Sequence, residues 1–136
     1  MKYLEKNIDL GLLILRISIG GLMLLHGIAK LQHGAGFIEQ VVVGAGLPSF
    51  IAYGVYVGEV IAPLFILFGY GTRIASVIFA GNCLVAALLV HVQDIFTLNE
   101  QGGWTVELLG LFFFGAVVLI FTGGGKYAIS NKHLWD

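Results

Sequence analysis

The chain has 136 residues, of which 58% are apolar and 11% are charged, with a mean hydropathy of +0.95 and a net charge of -1. An average soluble domain has roughly 25% charged residues, so this composition indicates an integral membrane protein. The seven Lys and Arg residues are spread along the chain, and they form none of the basic patches that nucleic-acid-binding proteins require.

Four apolar stretches predict four transmembrane helices in a single domain, residues 1–136. A hydrocarbon core of about 30 Å needs about 20 helical residues per crossing, and lipid excludes isolated hairpins of strands. The predicted fold class is therefore all-α: an integral membrane antiparallel four-helix bundle. The predicted spans are Leu10 to Ala29, Ser49 to Phe68, Thr72 to Val92 and Gly103 to Phe121.

The first span follows a charged start, MKYLEKN, and superficially resembles a signal peptide. Arg16 interrupts the apolar run and no small-x-small cleavage site follows it, so we expect a retained transmembrane helix.

The segment Gln32 to Pro48 combines apolar residues with four glycines. Its composition fits a short amphipathic helix in the interface or a glycine-rich loop. The short link Gly69 to Gly71 requires an antiparallel hairpin of the second and third spans, and Gln93 to Gly102 is predicted to be a polar turn.

Lys and Arg outside the spans predict the orientation. With four crossings, only Lys30 falls on one side of the membrane, and the positive-inside rule then places both termini in the cytoplasm of a bacterium. The basic residues on the other side are Lys2, Lys6, Arg73, Lys126 and Lys132.

Each span contains a polar or ionisable residue, which normally faces inward and marks a functional or structural site. At 1.5 Å per residue, Arg16 lies roughly 9 Å from the cytoplasmic edge, Glu59 and Asn82 roughly 15 Å, and His26 and Glu107 roughly 24 Å. We therefore predict a buried structural polar layer of Arg16, Glu59 and Asn82. An outer layer, the candidate quinone or partner site, comprises His26, Lys30, Glu107 and His91.

Two pairings are predicted from these layers. Arg16 with Glu59 fits a structural brace between helices or a proton site equally well. His26 with Glu107 fits a proton relay, a site for a quinone carbonyl, or a simple interface histidine. No metal is expected, because His26 and His91 lack a shared-helix ligand spacing.

Other motifs carry less information about function. The small residues Gly54, Gly58 and Ala62 permit close helix packing, and Gly54 and Gly58 are a candidate surface for a homo-oligomer. The segments GYGTR and GGGK lack the strand context of phosphate-binding loops and are predicted turns. The aromatic residues Tyr53, Tyr56, Trp104 and Phe112 to Phe114 are interpreted as ordinary membrane-facing residues.

Three elements in order resemble the DoxX family of small four-helix membrane proteins: HGIAK after Arg16, Glu59 before GYGTR, and GGWTVELLG before GGGKYAIS. The resemblance implies a bacterial inner-membrane protein, with relatives associated with a thiosulfate:quinone oxidoreductase or with redox-stress complexes. The family motif residues carried over by position are Arg16, His26, Gly27, Lys30, Glu59, Arg73 and Glu107.

Three functions remain open on the sequence. The leading hypothesis is a quinone-binding or partner-binding accessory subunit of a membrane oxidoreductase in redox or sulfur metabolism. The second is a catalytic membrane subunit, in which electrons pass through a bound quinone or a redox partner protein, because nothing in the sequence ligates haem or an iron-sulfur cluster. The single cysteine, Cys83, cannot form a Cys-x-x-Cys centre. The third is a bundle that transports protons or a small solute, and a purely structural scaffold is the alternative to all three.

Overall fold

The computed structural model describes residues 5–136, and its regular structure is helical. One of its helices, Ser49–Phe68, is continuous but changes its winding along its length. Among the described residues, the only strand-like feature is an isolated bridge between Leu98 and Trp104. The helices are α1 (Ile8–His33), α2 (Gly36–Gly44), α3 (Ser49–Phe68), α4 (Thr72–Val90) and α5 (Glu107–Thr122).

The predicted all-helical membrane bundle is confirmed. Helices α1, α3 and α4 are long and apolar enough to cross a membrane, and α5 is a shorter apolar helix of 16 residues. Sixteen residues extend about 24 Å, which is less than the hydrocarbon thickness of about 30 Å. The structure thus supports three full-length spans and a fourth, shorter helix packed beside α1 and α4.

Helix α1 is longer than the predicted first span. The Asn7 side chain accepts a hydrogen bond from the Leu10 N–H at 3.0 Å, which satisfies one of the free donors at the helix start. The helix then runs 26 residues, to His33. Asp9, one of the two residues added at its start, lies beside the carboxyl-terminal residues, where the Lys126 N–H donates to the Asp9 carboxylate at 2.9 Å.

The segment between the first two spans forms helix α2. Of the two predicted alternatives for this segment, the short helix is therefore found and the glycine-rich loop is not. Its Val42 side chain is buried, whereas Phe37 and Val43 are exposed. This division into a buried and an exposed face is what an amphipathic interfacial helix requires.

Helix α3 is irregular in its first half. It begins as a 3₁₀ turn at Ser49–Tyr53 and passes through a π turn at Val57–Ile61, in which the Ala62 N–H donates to the Val57 carbonyl. Pro63 has no N–H to donate to the Glu59 carbonyl, the partner that α-helical geometry assigns to it. The π turn accommodates this missing hydrogen bond, and such turns are frequent at functional sites.

Residues 123–136 form no regular helix and pack against the turn between α3 and α4. Gly69 and Gly71 in this turn have positive φ angles of 74° and 56°, which glycine adopts without strain. The Ser130 N–H donates to the Gly69 carbonyl, and the Asp136 carboxylate accepts from the Gly71 N–H. We call this side of the bundle the terminal side, and the opposite side, with α2 and residues 91–106, the pocket side.

Candidate functional site

A cavity of about 690 Å³ lies on the pocket side, between all five helices. Its floor is formed by Met23 of α1 and Phe112 of α5, and α2 covers it with Ile38, Val41 and Val42. The walls are mainly apolar. The polar residues that line it are His26, Lys30, Glu59, Asn82, His91 and Thr105.

An ion pair lies in this cavity. The Lys30 Nζ is 2.6 Å from a carboxylate oxygen of Glu59, and the two side chains are 28% and 11% exposed. Charged hydrogen bonds of this kind are short and strong because a partly buried site has a low dielectric. The Tyr56 hydroxyl also donates to the Lys30 carbonyl at 3.2 Å, which fixes the end of α1 against α3.

The predicted pairing of Arg16 with Glu59 is wrong. The Arg16 Nη1 instead donates to the carbonyls of Ile66 and Leu67, at 3.3 and 3.1 Å. These carbonyls belong to the last turn of α3, which carries a partial negative charge and lacks helical donors. Glu59 is seven residues from Ile66, or about 10 Å along the helix.

The predicted pairing of Arg16 with Glu59 fails because α1 and α3 are displaced along each other compared with the depths estimated from the sequence. The first turns of α1 extend alongside the carboxyl-terminal segment, where Gly125 approaches Leu12, so Arg16 lies level with the end of α3. Lys30 consequently reaches Glu59. The buried polar layer and the outer layer predicted from the sequence meet in this ion pair instead of forming separate levels.

Gly27 allows α1 and α3 to approach closely at the ion pair. A Cβ atom added at Gly27 would collide with the Glu59 carbonyl oxygen. This is the carbonyl that loses its helical donor because of Pro63. One backbone contact therefore places Lys30, three residues after Gly27, beside the Glu59 carboxylate.

Asn82 lies next to Glu59 on the adjacent helix. A Cβ atom added at Gly58 would collide with the Asn82 side chain, so this glycine provides the space for the amide at the cavity wall. Gly58 and Ala62 are buried within the chain. Part of the small-residue ridge considered for a homo-oligomer is therefore used for packing α3 inside the protomer.

His26 faces the cavity floor rather than Glu107. Its ring packs edge-on against Phe112, with 6.1 Å between the centroids. Glu107 is the first residue of α5, is exposed, and holds its carboxylate over Gly103. It does not line the cavity, whereas its neighbours Val106 and Leu108 do.

His91 lies at the rim. The rotation of an ideal helix predicts that His91 and Asn82 point in opposite directions, but both line the cavity. Helix α4 ends at Val90, and the backbone of His91 is non-helical, with φ at -118° and ψ at 17°. The ideal helical rotation therefore does not apply to His91, and its side chain lines the cavity. Its Nδ1 is 3.4 Å from a carboxylate oxygen of Asp94.

The interpretation of the aromatic residues as membrane-facing is wrong for Phe112. Its side chain is buried and lines the cavity. Tyr53 and Phe114 are exposed, as that interpretation expects. Residues 5–136 contain no group of three His, Cys, Asp or Glu side chains that could hold a metal ion.

Sequence reasoning missed the pairing of Lys30 with Glu59, although one sequence feature pointed to it. Pro63 follows Glu59 by four residues, and a proline inside an apolar span releases the carbonyl one turn before it. Here the released carbonyl is that of Glu59 itself. Glu59 therefore lies at an irregular turn, where a second helix can approach.

The fold and the cavity define a class of protein: a small helical membrane protein with a mainly apolar pocket between its spans that contains an ion pair. The DoxX family model matches residues 11–92, so the chain belongs to the DoxX family. The match includes the family motif residues from Arg16 to Arg73, which contain the ion pair.

Two curated relatives are similar over most of the chain. "Putative oxidoreductase CatD" of Bacillus subtilis is 35% identical over 108 residues, 79% of this chain and 80% of the relative. "Inner membrane protein YqjF" of Escherichia coli is 32% identical over 134 residues, 96% of this chain and 95% of the relative. No solved structure matches the chain.

Proposed function

We propose that the protein binds a quinone in this cavity and is the quinone-binding accessory subunit of a membrane oxidoreductase. The observation that carries the proposal is the Lys30–Glu59 ion pair inside a largely apolar cavity of about 690 Å³. Pockets for small organic ligands have this size and this composition, with a few placed polar groups among apolar walls.

The residues present fit a quinone headgroup. A lysine ammonium has three donors, of which Glu59 uses one, so Lys30 retains donors for a ligand carbonyl. The Asn82 amide provides another donor at the wall. Phe112, held edge-on by His26, forms an apolar surface at the floor.

A bound quinone would supply two-electron and two-proton redox chemistry at this position, with the electrons coming from a redox partner protein. The protein's own residues orient the headgroup: Lys30 donates to it, and Glu59 holds the ammonium in place. The Bacillus subtilis relative bears the name "Putative oxidoreductase CatD", which agrees with a redox role and does not mention a quinone.

Transport along the polar residues is less well supported. Between the cavity and Arg16, buried apolar side chains, among them Ile19, Ile66 and Phe79, fill most of the interior. The buried hydroxyl side chains of α4, Thr72 and Ser76, belong to its first two turns, on the terminal side. Within residues 5–136 this packing separates the Glu59 level from the polar groups of the terminal side. A conducting path would have to pass through this core.

The test is to purify the protein in detergent, extract bound menaquinone and ubiquinone, and titrate quinone into the stripped protein. Lys30→Met should weaken quinone binding at least about tenfold, because a hydrogen bond to a charged group contributes about 1.5–3 kcal/mol. Glu59→Gln should have a similar effect through the position of Lys30.

Glu100→Gln is the matched control for Glu59→Gln, since it removes an exposed carboxylate that does not line the cavity, and it should bind quinone normally. Glu107→Gln should also bind normally if the site is the cavity. Equal binding by wild type and Lys30→Met, or no quinone bound by the wild type, would contradict the proposal.

A further inference from the structure

A groove leads out of the quinone cavity along the surface between α3 and α4. A second cavity of about 300 Å³ lies on the same interface, closer to the terminal side, and Ile78 lines both cavities. On α3 the linings follow one another at helical spacing, from Gly54 and Gly58 to Ile61 and Phe65. The two cavities therefore lie end to end along the α3–α4 interface, and we call the pair the groove.

The groove opens toward lipid. From Val57 onward α3 packs against α4, but its first turns pack mainly against α2. Ile78 and Val85, which face this gap from α4, are 42% and 52% exposed. Because α2 covers the cavity with Ile38 and Val42, the gap between α3 and α4 provides a lateral route from the hydrocarbon.

Two glycines border the lateral opening. Gly54 on α3 and Gly81 on α4 both line the cavity, and a Cβ atom added at either would meet no other atom within 4 Å. Neither glycine is required for helix packing at this point. The absence of side chains at these positions leaves the opening free.

We propose that the ligand is a long-chain quinone that enters from the bilayer between α3 and α4, and that its tail lies in the groove. This inference rests on the proposed function, which places the headgroup at the Lys30–Glu59 pair. From Gly81 in α4 to Gly71, which directly precedes α4, the groove extends ten residues, or about 15 Å. It ends at Tyr70 and Trp135, residue types that mark the membrane interface.

The test is to close the opening with Gly81→Phe and, independently, with Gly54→Phe. Gly21→Phe is the matched control, since Gly21 is also a helical glycine with no neighbouring atom within 4 Å but lines neither cavity. Binding is measured by titration with a long-chain menaquinone and with menadione, which has the same headgroup and no tail.

Gly81→Phe and Gly54→Phe should weaken binding of the long-chain quinone at least tenfold, and by a clearly larger factor than they weaken binding of menadione. Gly21→Phe should bind both like the wild type. Unchanged long-chain binding in both variants, or an equal loss for both ligands, would overturn the lateral route while the proposed function stands.

A failure of the proposed function has a different signature, because the wild type would then bind neither quinone. In that case the groove is tested with phospholipid, which also carries long apolar chains. The amount of phospholipid that copurifies with each variant is measured. Loss of copurified phospholipid in Gly81→Phe but not in Gly21→Phe would support the groove. Equal retention in both would contradict it.

Discussion

The Lys30–Glu59 ion pair is the residue-scale feature with the largest expected energetic effect. Lys30→Met leaves the nearly buried Glu59 carboxylate without its partner, and removing one member of a buried pair is strongly destabilising. Because Lys30 is 28% exposed, we expect a loss of about 2–3 kcal/mol rather than the full 3–5 kcal/mol. Chemical unfolding of the purified protein in detergent measures it.

The double variant Lys30→Met/Glu59→Leu is the control for charge. Replacing both members of a buried pair by apolar residues is often close to neutral, so the double variant should be more stable than Lys30→Met alone. If the two effects add independently, the ion pair does not couple these residues.

At this scale the sequence identified the polar residues but not their partners. Arg16, Lys30 and Glu59 all stood out as ionisable groups near apolar spans. Their pairing depends on how far α1 slides along α3, and a shift of a few residues exchanges the cation that reaches Glu59. That position depends on contacts between residues distant in sequence, such as Gly27 against the Glu59 carbonyl, which no local pattern encodes.

The close approach of α1 and α3 at Gly27 is the corresponding element-scale feature. Gly27→Ala would push a methyl group into the Glu59 carbonyl, and forcing extra volume into a packed site costs about 1–3 kcal/mol. The helices must then separate, which also moves Lys30 away from Glu59. We expect a lower thermal midpoint and weaker quinone binding.

Gly21→Ala is the matched control on the same helix. A Cβ atom there meets no neighbouring atom within 4 Å, and alanine is a better helix former than glycine by about 1 kcal/mol. Gly21→Ala should therefore match or exceed the wild type in thermal stability. Equal losses for both substitutions would show that the contact at Gly27 is not the cause.

The carboxyl-terminal residues are held to the α3–α4 turn by the Asp136 carboxylate. The hydrogen bond from the Ser130 hydroxyl, together with those from the His133, Gly71 and Lys132 N–H groups, lowers the pKa of Asp136 below its usual 3.8. A group with a lowered folded pKa stabilises the fold above its unfolded pKa. The contribution is lost as the pH falls through the folded pKa.

Asp136→Asn should therefore be less stable than the wild type at neutral pH, and the difference should shrink as the pH falls below about 3.8. Thermal unfolding in detergent from pH 7 to pH 2.5 measures the difference. Glu100→Gln, at an exposed position, should follow the wild type. A difference for Asp136→Asn that stays constant over this range would exclude the carboxylate as the cause.

Element boundaries were predictable where apolar runs end at glycine. The second span was predicted at Ser49 to Phe68 and is found there, since Gly69 ends it in a left-handed conformation. The start of α5 was not predicted, because residues 97–105 form hydrogen bonds across a loop, including Thr97 to Thr105 at 2.7 Å. These contacts within the loop override the preference of residues 103–106 for helix.

At the scale of the whole molecule, the two sides of the bundle differ in charge. Arg73, Lys126 and Lys132 lie on the terminal side, whereas the cation of the pocket side, Lys30, is paired with Glu59. The positive-inside rule therefore predicts that the terminal side faces the cytoplasm and that the cavity opens near the outer face. This orientation also requires α5 to complete an even number of crossings.

Labelling of single cysteines in intact cells tests both points. In a Cys83→Ala background, Phe96→Cys places a thiol at a 97% exposed position on the pocket side, and Lys132→Cys places one on the terminal side. A membrane-impermeant maleimide should label Phe96→Cys in intact cells and Lys132→Cys only after the cells are broken. The reverse labelling pattern would show that the protein has the opposite orientation. Labelling of both cysteines in intact cells would show that α5 does not cross the membrane and that the protein has three spans.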